Sequence, residues 1–322
     1  MNSFADLYGC RPNTEAPELL EEIERLAAPW DATEKPPIVK WESIRPHLEI
    51  SALHFDEKRR QGKFLYFWEI AKELGFQIED LFYSSQGSIG SCEGFSLYQN
   101  AYLATLLKQI AAGSEQTVEK VNALVTWLYS KGWSRLGGQT ISAGAKYGAE
   151  IGVFPESKVG RYSASWYDKD RAETAKEEAA KRQISTSLIP EGVDKLEAVT
   201  LCLRANHVVQ IGCSQAIRGS HIDEKGRAVG ELGGWWSHAI LISELNVDQE
   251  TGEKMFRIEN SHGNIYPNRD GSPQFGFWVS EKDMKRILDG GFADLLLVVY
   301  VESPTDPKAS QDLNPPEVQN AG

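Results

Sequence analysis

Cysteine is scarce in this sequence: Cys10, Cys92, Cys202 and Cys213 are the only four in 322 residues. So few thiols, so widely spaced, are not the framework of a small disulfide-stapled domain. No apolar run reaches the roughly 18 residues that a membrane helix needs, and no Asn-x-Ser/Thr acceptor occurs. The opening residues MNSFADLYGCRPNTEAPELLEE lack the basic start and apolar core of a secretory signal. The expected compartment is therefore the reducing cytoplasm, or a virion if the chain is virus-encoded. Positive charge is also short. Lys plus Arg number 34 against 46 Asp plus Glu, a net charge of −12. Binding to phosphate polymers depends on concentrated Lys and Arg, and no basic run or stripe is present, so neither nucleic acid nor membrane is an expected partner.

What is present is ordinary globular composition, 41% hydrophobic and 25% charged, at a length that suggests about two structural units. The first half reads as helical. Leu19, Leu20, Ile23 and Leu26 form one stripe over residues 17–27. Phe64, Phe67, Trp68 and Ala71 form another over 56–75, with Pro36, Pro37 and Pro46 breaking the pattern between. A long helix is predicted from Cys92 to Gly113, and a further one, capped by Ser114, to about Lys131. A glycine-rich stretch follows at 137–152, then a polar helix over 170–183. After a helix at 191–204 the pattern changes to strands, in HVVQIGC, WWSHAILIS, KMFRIEN and FADLLLVVYV. Helices first and strands second indicate an α+β fold with unlike halves. Residues 303–322 have no apolar periodicity and read as a flexible tail.

One group of residues carries a chemical pattern. Cys92 follows Gly87 and Gly90 and opens a long helix, where unpaired N–H groups and the helix dipole favour a thiolate. His238, on or beside a strand of the other half, can serve as base. Asn260, at the end of the next strand, can orient its imidazole. Gln86 stands six residues before Cys92 and can aim an amide N–H at a developing oxyanion, together with the backbone N–H of Cys92.

Gln86, Gly90, Ser91, Cys92, Phe95 and Ser96, followed by His238-Ala239 and Asn260-Ser261-His262-Gly263, resemble the motifs of the papain-like cysteine peptidases over roughly residues 81–302. His238 lies 146 residues after Cys92, a separation typical of that family. The resemblance implies a two-lobed fold with the active site in the cleft between lobes. It implies that Cys92 attacks a peptide carbonyl as thiolate, and that His238 holds the proton and delivers it to the leaving amine. Asn260 then fixes the imidazole, Gln86 stabilises the oxyanion, and no metal or organic cofactor takes part. Peptide or protein is the implied substrate, with Gly137, Gly138 and Trp236 as substrate-binding candidates in the cleft wall. The implied organisation is an N-terminal helical segment, 1–80, that covers the cleft as a prosegment or forms a permanent layer. A helical lobe, 81–189, a β-rich lobe, 190–302, and a tail, 303–322, follow.

Three positions depart from the family. Glu93 takes a place commonly held by an aromatic residue, and its charge opposes ionisation of Cys92 by roughly 1 kcal/mol at surface-like dielectric. His262 stands where tryptophan usually shields the His–Asn hydrogen bond. Ile89 replaces a disulfide cysteine, in keeping with reducing conditions. Two alternatives stay open on these residues: a catalytically weak or inactive domain kept as a structural or binding module in a viral or bacterial assembly, and a Cys–His amidase acting on cell-wall or isopeptide bonds. The spacing of Cys202, His207 and Cys213 fits no usual zinc pattern and reads as core packing.

Overall fold

The structure, a computed structural model, describes residues 10–31, 36–60, 68, 85–87, 90–111, 138–162, 169–248 and 251–301. In chain order these form β1 (Cys10–Arg11), α1 (Pro17–Leu26), α2 (Trp41–Arg60), α3 (Cys92–Ala111), β2 (Gln139–Thr140), α4 (Ile141–Glu150), α5 (Glu156–Val159) and α6 (Lys169–Ala179). The second half supplies β3 (Ile184–Leu188), α7 (Lys195–Arg204), β4 (Val209–Ile222), β5 (Ala228–Val247), β6 (Lys254–Glu259), β7 (Gly276–Ser280), α8 (Glu281–Leu288) and β8 (Ala293–Val301). The class is α+β, in two unlike lobes. The sequence-predicted helix over 114–131, residues Phe64, Phe67 and Ala71 of another, Gly137, Ile89 and the tail lie outside the described residues.

Six strands form one sheet in the order β3-β8-β4-β5-β6-β7, with neighbours antiparallel. Strand β5 is 20 residues long and also bridges β7 at Val229–Trp278, which curls that edge of the sheet back on itself. The register sets Cys213 opposite His238 across β4 and β5, and Gly212 opposite Asp294 across β4 and β8. These pairings set His238, at the middle of β5, across β4 from Ala293 at the start of β8.

Local chemistry explains several boundaries. Asp194 caps α7 by accepting from the Glu197 N–H at 2.9 Å, which moves the start four residues inward from the predicted Glu191. Thr140 caps α4 in the same way through Ala143 N–H at 3.1 Å, turning the glycine-rich stretch into a helix. Its Ala143, Gly144 and Gly148 permit close packing. Pro46 does not break α2, although the sequence suggests that it should. Trp41, Ile44, Leu48 and Ala52 recur at helical spacing and are buried with Val199, Cys202 and Leu203 of α7 in the largest core cluster. That burial outweighs the one helical hydrogen bond lost at proline.

A second cluster packs α3 against α4, β3 and β8, through Cys92, Phe95, Tyr98, Ile141, Ile184, Leu296 and Val298. A third contains Trp68, Leu103, Leu106 and Trp278. Beside it the fully buried Arg257 pairs with Glu259 at 2.7 Å, donates to the Pro273 carbonyl at 2.8 Å and lies over the Trp68 ring. Ser243 supplies Glu259 with a further hydrogen bond at 2.8 Å. The pair is thus compensated at both ends, which is what a buried charge requires.

Candidate active site

Cys92 is the first residue of α3, and the Ser91 carbonyl accepts the Phe95 N–H at 3.0 Å to start the helix. The thiol is fully buried. Its sulfur accepts from the backbone N–H of Ala239 at 3.4 Å, which seats the start of α3 directly beside His238 on β5. The structure therefore joins residues 92 and 239, which stand on different lobes.

His238 Nε2 and Asn260 Oδ1 are 2.8 Å apart. Asn260 is itself held: its Nδ2 donates to Tyr266 Oη at 2.8 Å and faces His262 Nδ1 at 3.2 Å, and its Oδ1 also accepts the Ser261 N–H. The His262 ring stacks on His238 at 4.7 Å between centroids, nearly parallel. Trp236 packs edge-on against His238 at 4.8 Å and lies 6.2 Å from His262, so the two rings meet His238 on adjoining sides. The imidazole is covered by one histidine and one tryptophan. His262 covers one face of the imidazole from the position where the family has tryptophan. Trp236 is buried in this packing, whereas its neighbour Trp235 is 58% exposed.

Gln86 is tied to the same loop. Its N–H donates to the Ser261 carbonyl at 2.9 Å, and its Oε1 accepts from the Ser261 hydroxyl. Tyr162 donates to the Gln86 carbonyl at 2.5 Å and lies 3.4 Å from the Ser91 hydroxyl, bridging Gln86 and Ser91. Sequence reasoning missed Tyr162 because nothing local marks it: its partners are 71 and 76 residues away. Gly138 is buried and immediately precedes β2.

The N-terminal segment also reaches this place. Strand β1 pairs in parallel with β2, setting Cys10 against Gln139. The Cys10 carbonyl accepts from the hydroxyl of Ser237, the residue before His238. Asn13 N–H donates to Asp294 Oδ2 at 2.7 Å, and Asn13 Oδ1 accepts from the Ser142 N–H at 3.0 Å. Cys10 shares a packed cluster with Cys92, and its sulfur fills the space left by the missing side chain of Gly212. Residues 10–15 thus span from β2 and α4 to the sheet, over the Cys92–His238 junction.

Burial controls the protonation states. It pushes the Cys92 thiol up to about 12, with Glu93 adding in the same direction against the Ala239 hydrogen bond. Burial, then the neighbouring His262, drives His238 well below its ordinary value against the pull of Asn260. His262 falls to about 4 for the same first reason. In this closed form the pair rests as thiol and imidazole, whereas the sequence resemblance implies thiolate and imidazolium.

Glu93 is fully buried under Gly144 of α4. A β-carbon at Gly144 would fall 1.7 Å from Glu93 Oε1, an impossible contact. Gly144→Ala is expected to destabilise the protein by about 1–3 kcal/mol through overpacking. The loss should shrink when Glu93→Ala is added. Denaturant unfolding of the two single variants and the double variant checks the coupling, and additive losses would refute it.

Cys202 and Cys213 are buried in the main core cluster, and burial lowers His207 to about 4. Among the described residues no group of three or more His, Cys, Asp or Glu could hold a metal ion, and no helix is long and apolar enough to cross a membrane.

The fold and site define an α+β chain with a helix-start cysteine beside a histidine that is bonded to an asparagine. No protein-family profile and no curated protein matches the sequence. Solved structures of papain-like cysteine proteases are similar to it at low identity. Xylellain, a cysteine protease from Xylella fastidiosa, is 19% identical with a TM-score of 0.47, over 69% of this chain and 82% of that one. The ragweed pollen allergen Amb a 11, a cysteine protease in its proform, is also 19% identical with a TM-score of 0.47, over 72% of this chain and 59% of that one. The procathepsin B of Trypanosoma congolense is 12% identical with a TM-score of 0.46, over 71% and 75%.

Proposed function

We propose that this chain is a cysteine peptidase, with Cys92 as nucleophile, His238 as acid and base, Asn260 as its orienter and Gln86 as oxyanion donor. One observation carries the reading. His238 is held by Asn260 at 2.8 Å through Nε2, while the adjacent Ala239 N–H rests on the Cys92 sulfur at 3.4 Å. This bond to Asn260 assigns Nδ1 to proton exchange with the thiol. Cys92 gives its proton to Nδ1 and its sulfur attacks the peptide carbonyl carbon. The oxyanion takes hydrogen bonds from the Cys92 N–H and the Gln86 Nε2 amide. His238 passes the proton to the departing amine, then draws one from water, which attacks the thioester and releases the acid.

The seated N-terminal segment accounts for the neutral resting pair. When residues 10–15 cover the junction, water is excluded and the charge-separated form is unfavourable. Lifting the segment hydrates the site and allows the proton to move from Cys92 to His238. On this reading the N-terminal region is a prosegment-like cover, and residues 81–189 and 190–302 are the two lobes of the peptidase.

A peptidyl electrophile that traps thiolates tests both parts. Cys92 is expected to label slowly in the intact chain and several-fold faster in Asn13→Ala, which loses the bond from Ser142 N–H to Asn13 Oδ1, worth about 1 kcal/mol. His238→Ala should remove the rapid labelling. Labelling of Cys92 no faster than free cysteine in every variant would leave the second reading, a closed binding module. The full burial and raised pKa of the thiol are what favour that alternative.

A further inference from the structure

Glu93 is a buried carboxyl group that the proposed reaction does not use. Its side chain is enclosed by two neighbouring elements. From β4, Gln210 Nε2 donates weakly to Oε1 at 3.4 Å, and more closely to the Glu93 carbonyl at 3.1 Å and Ser96 Oγ at 2.7 Å. From α4, Gly144 lies against the carboxyl, and only glycine leaves room for it there. The other oxygen, Oε2, is fully buried and has no hydrogen-bond partner among the described residues. A carboxylate in such a setting would be a desolvated charge with one weak donor and no cation, which costs several kcal/mol. A neutral carboxylic acid costs far less. Burial accordingly raises Glu93 to about 8, against the pull of the Gln210 hydrogen bond.

The position matters because Glu93 directly follows Cys92. The titratable groups that its charge reaches are Cys92 on its own helix and Cys10 on β1, and both thiols are pushed up by it. The facing residues of α4 and β4, Gly144 and Gln210, do not titrate.

We propose that Glu93 is a positioning residue that governs the charge of the nucleophile: held as a neutral acid behind Cys92, it leaves the thiolate unopposed, and its ionisation suppresses that thiolate. The consequence is an alkaline limit on Cys92 reactivity that the Cys–His pair alone does not impose. A carboxyl group that is charged at neutral pH would oppose the thiolate at all working pH values. The cavity avoids this by refusing the charge. The proposal rests on the reading of Cys92 as nucleophile only for its functional meaning, because the ionisation itself is measurable on the thiol.

The test follows carbamidomethylation of Cys92 in the full chain from neutral to alkaline pH, located by peptide mass. Iodoacetamide is kept where labelling stays proportional to reagent, so that thiolate content rather than opening is read. In the wild-type chain the rise of the rate with pH should flatten across about pH 8 and then resume on a line displaced downward. In Glu93→Gln, which keeps the shape without the charge, it should continue upward and exceed wild type by about fivefold or more at the alkaline end. Superimposable profiles would overturn the proposal. An infrared pH titration of the wild-type chain gives a second readout that does not depend on a variant folding. The band of a protonated carboxyl should persist at neutral pH and vanish above about 8, and its absence at neutral pH would equally sink the idea. Should His238→Ala leave labelling unchanged while the Glu93→Gln difference persists, the peptidase reading fails and the control by Glu93 stands.

Discussion

Alanine at Cys92, introduced into a chain opened by Asn13→Ala, should leave no measurable peptide hydrolysis, a loss on the order of 10⁴-fold or more. On the proposed mechanism the sulfur forms the acyl-enzyme, and alanine at the first residue of α3 offers no nucleophile in its place. Replacing His238 by alanine should cost about 10²–10⁴-fold, because the proton donor and acceptor disappear while the thiol remains. Asn260→Ala should cost less, since Trp236 and His262 still pack against the imidazole. The order of the three losses is itself diagnostic. Steady-state hydrolysis of a peptide mixture, read by mass spectrometry, measures it. Turnover that survives Cys92→Ala would remove the chain from the cysteine peptidases altogether.

The second large effect falls on stability. Glu93 holds its proton up to about pH 8 in the folded chain, against an ordinary carboxyl value of 4.5. Because the folded value is the higher one, the stabilising contribution of the neutral acid is complete below about pH 4.5. It is lost progressively as pH rises toward 8, where the unfolded chain has already released its proton. The difference, 8 − 4.5, is 3.5 units, which at about 1.4 kcal/mol per unit sets an upper bound of about 5 kcal/mol. Glu93→Gln should therefore match wild type near pH 4.5 and grow steadily more stable than it up to pH 8, by several kcal/mol at the limit. Denaturant unfolding at a series of pH values reads the gap. A constant gap would mean that Glu93 carries its charge throughout, contrary to the enclosed cavity.

The residues that the sequence pattern grouped, Gln86, Cys92, His238 and Asn260, are those that the structure brings together, through direct hydrogen bonds or shared neighbours. They were legible because each sits at a boundary with its own local signal. Cys92 opens a helix after two glycines, and His238 and Asn260 lie on or at the ends of apolar strands. The cover was not legible. Nothing in Cys10–Arg11 marks a two-residue strand, and Asn13 finds its partners 129 and 281 residues away. Strand β3 and helix α8 also escaped notice. Ile184–Leu188 is short and polar at three of five positions, and Glu281–Leu288 is only two turns long. The extended helix α2 hid behind Pro46, where tertiary burial overruled a local signal. The consequence of Glu93 could be read only in part, because its sign depended on enclosure by Gly144 and Gln210.

The bond between Asn13 and Asp294 has a bearing on how the molecule is made. It joins residues 281 positions apart, and Asp294 stands at the start of the last strand described. Contacts of such range are formed late, since the chain must first pay the entropy of a very large loop. On the ribosome residues 10–13 can pair with β2 and bond to Ser142 and Ser237 before β8 has emerged, and the bond from Asn13 to Asp294 forms last. Closure is thereby tied to the integrity of the whole chain: a truncated product, lacking β8, has no Asp294 with which to fasten it.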